Sequence, residues 1–523
     1  MKRKLIAICL TLCLTACALG GCQKQSSTPQ PASEDAPDGA EAAAPDASVE
    51  TEADADTQKE YPVIKINYAT LSEMADEALV EEEINKIMRE KAGAEIDLIP
   101  VLGGNYQTTM NLLLTGGDDS LDVFTSFWYT SESNLVANGQ VIALDELLDE
   151  YGQDLKDLYK GYEDFLYCGK VNGQLYGIPS IGAWCSENFY VVKEDVSNAA
   201  DIDWSKVNDL DTLTDAMIAM KEASPASYFI PGSTQTYWMP KNIDCLGDNN
   251  MFAVLTDPLN STTVENYYES ETFIDFLEHV KIWKEKDLIS PDPLSNSNAT
   301  LVNLQYGITD GTPGFSWDSA SNISYIEIQK NLDLTGGAIT GSMVTTGNVT
   351  DYLWHISAFC KHPEEAMKVL VVMYTDPVVA NLLANGIEGR NYVINNDGQM
   401  QLPDGVASAA DLGWQIGSNT VWPNSTLCLT WDYEAKDLYE KMEEKKNNAA
   451  KSLALGFQFD STNVVDEMTA CANVVAQYYL PLMYGEVDID STLPIFQQAL
   501  KDAGIEKIIT EKQTQLDKWL AEK

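Results

Sequence analysis

The chain has 523 residues and a formal net charge of −47 at pH 7. This much negative charge repels nucleic acid and other polyanions, so neither is expected as the main partner. The 10 cysteines include no C-x-x-C pair, and the 3 histidines share no metal-ligand spacing. The sequence therefore predicts neither a metal site nor a cofactor.

The N-terminal residues have the pattern of an export signal with a membrane anchor. Basic residues at 2–4 precede an apolar run over 5–19, which is short for a membrane-spanning helix and typical of a signal peptide. Small residues before Cys22 resemble a bacterial lipobox, so we expect residues 1–21 to be a lipoprotein signal peptide and Cys22 to carry the lipid. Cys17 is an alternative acylation site, and an ordinary secretory signal is a further alternative. The predicted location is the outer side of the cell membrane.

A low-complexity segment follows the signal. Residues 22–60 are rich in Ser, Thr, Pro, Ala, Asp and Glu and have almost no apolar side chains to bury. Such a segment does not offset its ordering entropy, so we expect a disordered acidic tether. The remaining body is long enough for two or three domains.

Strand and helix patterns alternate through the body. We predict strands over 63–68, 94–99 and 121–125 and helices over 72–92, 106–114, 135–151, 210–223, 270–286, 363–374, 464–480, 492–503 and 505–520. Residues 392–399 are typical of a hairpin turn. The alternation indicates an α/β fold with a largely parallel sheet, followed by a helical C-terminal region.

Four segments carry a resemblance to a known family. They are 119–128, with a strand that ends in aromatic residues, 171–179, 314–317 and 356–370. In this order they resemble the extracellular solute-binding proteins of bacterial ABC importers, in the carbohydrate-binding class. Residues 385–392, 456–460 and 513–519 are similar to the LplA/LipO-like lipoproteins of that class, whose C-terminal region is a domain of unknown function.

The resemblance implies a two-lobed periplasmic-binding-protein-like fold with hinge strands and a helical C-terminal extension. Lobe 1 would comprise 61–186 plus 356–395, and lobe 2 would comprise 187–355 plus 396–523. The ligand would bind in the cleft between the lobes and stabilise their closure.

A sugar offers hydroxyl groups for hydrogen bonds and apolar C–H faces for stacking on aromatic rings. Resemblance and loop position together select the candidate ligand-binding residues, which are Trp128, Tyr129, Trp184, Glu187, Asn188, Trp238, Trp317, Asp318, Trp354 and Arg390. Arg390 would either reach the cleft or brace the hinge through a carboxylate. We expect other tryptophans, among them Trp414, Trp422 and Trp431, to belong mainly to the core.

These observations lead to a functional prediction. We expect a lipid-anchored, monomeric binding protein, not an enzyme, that captures a small carbohydrate, an oligosaccharide for preference, and delivers it to ABC permease subunits. The alternatives are a binding protein of the same fold for a peptide or another solute, and a surface glycosidase. The sequence lacks the G-x-S-x-G, P-loop and H-E-x-x-H motifs, which disfavours the common hydrolases.

Overall fold

The computed structural model describes residues 60–70, 73–116, 121–126, 130–234, 243–248, 250–414 and 421–523. The predicted signal, Cys17, Cys22 and the tether up to residue 59 lie outside the described residues, as do Trp128, Tyr129 and Trp238. Residues Glu60–Lys523 form one compact unit.

The strands of this unit are β1 Val63–Thr70, β2 Glu95–Leu102, β3 Val123–Thr125, β4 Lys170–Val171, β5 Gln174–Leu175, β6 Ile178–Pro179, β7 Glu187–Lys193, β8 Gly311–Ser316, β9 Leu334–Ala338, β10 Met343–Val344, β11 Leu353–Ile356, β12 Val393–Ile394, β13 Met400–Gln401 and β14 Ala450–Lys451. The helices are α1 Glu77–Lys91, α2 Tyr106–Gly116, α3 Glu132–Ala137, α4 Asp145–Tyr151, α5 Gln153–Leu158, α6 Glu163–Leu166, α7 Glu194–Ala199, α8 Leu210–Ala223, α9 Glu271–Glu285, α10 Thr300–Gln305, α11 Ser319–Lys330, α12 Thr346–Thr350, α13 Pro363–Thr375, α14 Pro377–Asn385, α15 Leu438–Asn448, α16 Val465–Met483, α17 Ile489–Asp502 and α18 Ile505–Glu522.

The first sheet has the strand order β2-β1-β3-β11-β6. Its side chains alternate between two faces: Ile64, Ile66 and Tyr68 enter a large first core with α1, α13 and α14, while Phe124 packs on the other face with α2 and α3. Burial on both faces explains why β1 is almost continuously buried. The chain leaves this sheet after β6 and returns to it at β11.

The second sheet has the order β8-β7-β9. Along β7, Phe189 and Val191 face α11, whereas Tyr190 and Val192 enter a second core. This alternation follows from the two-residue period of a strand. Both pairings of β7 are antiparallel, as are the pairings of β11 in the first sheet, so the predicted parallel arrangement holds only for β2-β1-β3. A buried apolar run predicts a strand and does not specify its direction.

The C-terminal helices complete the second core. Phe496, Ile508 and Leu516 pack in the same cluster as Phe273 and Trp283 of α9. The helix α18 is also held by the fully buried ammonium group of Lys512. This group donates hydrogen bonds to the Asp248 carboxylate and to the backbone carbonyls of Cys245 and Ala253, over 2.9 to 3.1 Å. The C-terminal helices therefore share one core with the second sheet.

Other predictions have mixed outcomes. The hairpin is confirmed, because β12 and β13 pair antiparallel. The segment 135–151 carries helix as predicted, but in two parts: α3 ends at Ala137, and Gly139 adopts a left-handed φ of 64° before α4 begins. The six cysteines of the body, all within the described residues, form no disulfide bond.

The predicted lobe boundaries stay a prediction, although two packing facts bear on them. The strand β11 places Leu353 in the first sheet, slightly before the predicted return at residue 356. Trp414, Trp422 and Met442 pack in the first core, although they follow residue 396. Among the described residues no single helix is long and apolar enough to cross a membrane, whereas α13 and α14, bent by 84°, meet that criterion only as a pair.

Candidate ligand-binding cavity

A cavity of about 950 Å³ opens between the first core and the helix α11. One wall is α11, which packs on the second sheet, and another is the C-terminal end of α14, which packs in the first core. The segment 431–448, including α15, lines the remaining side. Aromatic residues supply much of the surface, namely Trp317, Tyr325, Trp414, Trp431, Tyr433 and Tyr439.

The wall formed by α11 depends on the N-cap of that helix. Asp318 accepts a hydrogen bond of 2.9 Å from the backbone N–H of Ser321, as N-cap aspartates do. Asp318, Ser321, Asn322 and Tyr325 then follow helical spacing and all line the cavity. Ile323 and Ile326 on the opposite face pack against the second sheet, which fixes the orientation of the helix.

An ionic bridge joins α11, the second sheet and α15. The Lys445 ammonium lies 2.9 Å from Asp318 Oδ1 and 3.0 Å from Glu187 Oε2. Glu187 also accepts a hydrogen bond from the Ser319 backbone N–H at 2.8 Å. Burial opposes charge on these groups, yet their mutual hydrogen bonds keep the pKa of Asp318 below its ordinary value and the pKa of Lys445 above its own.

The other side of α15 contacts residues before the second sheet. The Lys446 ammonium lies 4.0 Å from the centre of the Tyr162 ring and 5.2 Å from that of Trp184. Tyr162 also donates a hydrogen bond to Glu443. The helix α15 is therefore held by contacts on two sides, with Glu187 and Asp318 on one side and with the Tyr162 region on the other.

A stacked aromatic pair forms a flat platform in the cavity. The rings of Trp431 and Tyr433 are 5.8 Å apart and inclined by only 11°. The indole N–H of Trp431 donates to Asn385 Oδ1 at 3.2 Å, and the Asn385 side chain donates to Asn381 at 3.0 Å. These bonds hold the orientation of the Trp431 ring, which is the condition for a preformed stacking surface.

The turn after the platform positions Glu434. The backbone N–H of Trp431 donates to Glu434 Oε2 at 2.8 Å, and the backbone N–H of Glu434 donates to the Trp431 carbonyl at 2.9 Å. The buried amide of Gln399 donates to the carbonyls of Trp431 and Glu434 at 2.8 and 3.0 Å. Burial raises the pKa of Glu434, and the bond from Trp431 opposes this shift.

The structure brings together some of the sequence-predicted residues. Trp317 and Asp318 line the cavity, and Glu187 contacts it through Lys445. Asn188 is buried, and its backbone N–H and its side chain both bond to the Thr340 hydroxyl. Arg390 donates to Asp76 at 2.5 Å, so it braces the start of α1 through a carboxylate.

Two predicted tryptophans lie in the first core. Trp184 stacks on Phe165 at 4.6 Å and donates its indole N–H to the Ser180 carbonyl. Trp354 is fully buried and donates to Ser180 Oγ and the Val421 carbonyl. These surroundings are those of core side chains, because each ring is packed and each N–H is paired within the protein.

Several residues of the cavity wall were not selected as ligand-binding candidates from the sequence. Trp414 and Trp431 were expected in the core, and both are buried, Trp414 in the first core and Trp431 against Tyr392 and Met400, although each also lines the cavity. Tyr325, Glu434 and Lys445 were not selected. For Tyr325 a signal existed, since it lies seven residues after the N-cap Asp318 and hence on the same helical face. For residues 431–434 the only local signal was a polar loop with two aromatic residues.

The fold and the cavity are those of a solute receptor, and the chain belongs to the bacterial extracellular solute-binding protein family, which matches residues 61–380. Residues 453–521 match a second family, a domain of unknown function (DUF3502). The predicted family resemblance is thereby confirmed. The second match covers the helices α16 to α18, which complete the second core.

Relatives support the same assignment. A carbohydrate ABC transporter substrate-binding protein of Streptococcus pneumoniae is 27% identical over 471 residues, which is 88% of this chain and 92% of that protein. A crystal structure of the N-glycan transport solute binding protein (NgtS) from Streptococcus pneumoniae matches with a TM-score of 0.76 at 24% identity, over 88% of this chain and 99% of that one. An extracellular solute-binding protein from Bifidobacterium longum subsp. infantis matches with a TM-score of 0.62 at 15% identity, over 88% and 99%. The predicted two-lobed α/β fold is confirmed.

Proposed function

We propose that this protein captures an oligosaccharide in the cavity and delivers it to the permease subunits of an ABC importer. The observation that carries the proposal is the stacked Trp431–Tyr433 platform, which shares one cavity with Trp317 and Tyr325. Apolar sugar faces stack on such rings, while Asp318, Asn322 and other polar groups on the walls bond to hydroxyls. The carbohydrate transport relative points to the same ligand class.

The size of the cavity favours an oligosaccharide over a single sugar. Its volume of about 950 Å³ lies near the upper end of the roughly 300–1,000 Å³ range of small-molecule pockets. One solved relative is in complex with Man5GlcNAc, at 24% identity and a TM-score of 0.68. A ligand that contacts both α11 and the end of α14 stabilises the arrangement in which these walls are close, and this differential affinity drives closure.

The proposal includes a cellular location for the protein. The basic start, the apolar run and Cys22 support a mature chain that is lipid-anchored on the outer side of the membrane, with 22–60 as a tether. Anchoring raises the concentration of a monomeric receptor beside its permease. Mass spectrometry of the mature N-terminus tests this step: a diacylglyceryl group on Cys22 is expected, and acylation of Cys17 or an unmodified N-terminus would overturn it.

The binding function is tested by a thermal-shift and calorimetry screen of the tag-free body, residues 60–523. The panel contains Man5GlcNAc, maltopentaose and kestose, with a mixed peptide pool as the competing ligand class. At 100 times Kd a bound sugar adds about 2.7 kcal/mol to the free energy of unfolding. Binding of peptides without any sugar response contradicts the proposal.

The platform itself is tested in the same screen. Trp431→Ala removes the larger ring, so we expect at least tenfold weaker binding of the responding sugar. Incubation of each sugar with the protein, followed by a reducing-end assay, separates binding from hydrolysis. New reducing ends would favour a glycosidase, and their absence with retained binding supports a receptor.

A further inference from the structure

The charged side chains of the cavity wall differ in whether they have an ion-pair partner. The lining includes two lysines, and both have carboxylate partners: Lys445 lies between Asp318 and Glu187, and Lys441 lies 3.0 Å from Asp437. Lys445 is therefore already neutralised by two carboxylates, whereas Lys441 is half-exposed and pairs with Asp437 one helical turn away.

Glu434 differs from Asp318, which is paired with Lys445, and from Glu444, which is exposed. Among the described residues it has no lysine or arginine within ion-pair distance, and its carboxylate takes one hydrogen bond, from the Trp431 backbone to Oε2. The second oxygen, Oε1, is left for a group that enters the cavity. The turn bonds and the Gln399 amide hold the position of this carboxylate, so it does not need to reorganise when a ligand arrives.

Three tyrosines that line the cavity are influenced by the charge of this carboxylate. Burial is the main cause that raises the pKa of Tyr325, Tyr433 and Tyr439, and the charge of Glu434 contributes in each case. Their phenols stay neutral and can donate to or accept from hydroxyl groups. The wall around Glu434 is thus a carboxylate beside neutral phenol hydroxyls, and within the described part of the chain no lysine or arginine is paired with it.

From this arrangement we infer that Glu434 sets the charge specificity of the cavity: it accepts hydrogen bonds from the hydroxyls of uncharged sugars and rejects sugars that carry a carboxylate. The inference rests on the proposed function and narrows it to neutral glycans. The physical reason is that two carboxylates in a partly desolvated cavity repel strongly, whereas a hydroxyl donor completes the open Oε1 site.

The test compares matched ligand pairs by calorimetry. Each panel oligosaccharide is used in its neutral form and in a form whose primary alcohols have been oxidised to carboxylates, which keeps the ring and linkage. For the wild-type protein we expect at least tenfold weaker binding of the oxidised form. Glu434→Gln keeps an oxygen acceptor and removes the charge, so we expect it to reduce this preference at least threefold while binding of the neutral form changes less.

Asp432→Asn is the matched control, because Asp432 is exposed, two residues away and not part of the cavity wall. It removes the same charge and should leave the preference unchanged. Equal binding of both forms by the wild-type protein, or an equal effect of Asp432→Asn, overturns the inference while the proposed function stands. If no panel sugar binds in either form, the proposed function fails and the inference fails with it.

Discussion

Two stacked aromatic pairs in this protein have almost the same geometry. Trp354 and Trp422 stack in the first core at 5.9 Å and 12°, and Trp431 and Tyr433 stack in the cavity at 5.8 Å and 11°. The core pair is buried by protein on all sides, with Trp354 fully inaccessible and Trp422 only 1% exposed. The cavity pair has a wall of polar side chains and Glu434 beside it. Ring geometry alone therefore does not distinguish a core pair from a ligand platform; the unfilled space next to the rings does.

The largest expected difference between the pairs is in stability. Trp354→Ala should lower the free energy of unfolding by about 3–5 kcal/mol, because it leaves a cavity inside a packed core. Trp431→Ala should cost less, since empty space already adjoins that ring. Urea denaturation of both variants measures this, with Trp354→Phe as the control that keeps much of the apolar volume. An equal loss from the two alanine variants would remove the distinction between core and platform.

On the core side, a buried histidine and a buried glutamate give the stability of the protein a dependence on pH. His355 and Glu132 are fully buried, with His355 Nε2 3.4 Å from Glu132 Oε2, and His355 Nδ1 donates to the Tyr176 carbonyl. Burial lowers the pKa of His355 to about 4 and raises the pKa of Glu132 well above its usual range. The two shifts have opposite effects on the pH dependence of stability, so they are separated by substitution.

In a Glu132→Gln background only the histidine shift remains. Between pH 6.5 and about 4 the unfolded chain binds the histidine proton and the folded chain does not, so stability should fall as the pH falls. The expected loss over this window is on the order of 3 kcal/mol. Urea titrations of Glu132→Gln and of Glu132→Gln/His355→Gln at each pH measure it. A constant difference between these two variants across the window would contradict the prediction.

On the cavity side, loss of the Lys445 ion pairs should lower the free energy of unfolding less than loss of a core ring. Lys445→Met leaves the buried Glu187 carboxylate without its cation, although the partial exposure of Lys445 weakens the interaction. We expect a loss of about 1–2 kcal/mol in the free energy of unfolding. Lys436→Met is the matched control, because the Lys436–Asp397 pair is exposed and should change stability by less than about 0.5 kcal/mol. Similar losses in the two variants would show that the Lys445 ion pairs stabilise the protein no more than an exposed surface pair does.

The smallest stability effect is expected at the rim of the cavity. Tyr325 is 43% exposed, so Tyr325→Ala should change the free energy of unfolding by less than about 0.5 kcal/mol. Sugar binding should weaken about fivefold to tenfold, because a wall aromatic is lost. Tyr306→Ala serves as the control, since Tyr306 is 71% exposed and outside the cavity wall. Unchanged affinity in Tyr325→Ala would exclude this ring from the binding site.

Some of the fold was accessible from local pattern. The strand at 63–68, the helix after it and the C-terminal helices have strong periodicity, and the structure places elements there. The site was less accessible. Trp317 and Asp318 were found because they follow a glycine-rich loop that resembles a family motif. Trp431 and Glu434 were missed because their environment is created by Gln399 and Asn385, which are distant in the sequence.

The sequence by itself determined the family, the alternating α/β elements and the acidic character, since each follows from local composition, periodicity or motif. The signal peptide and the lipid anchor stay predictions. Tertiary structure alone decided strand direction, the joining of the C-terminal helices to the second sheet, and which tryptophans face empty space. The physical reason is that Trp354 and Trp431 are the same residue type in similar apolar surroundings. Their roles differ through what the rest of the chain packs against each ring: Trp354 is covered by protein on all sides, whereas the cavity adjoins Trp431.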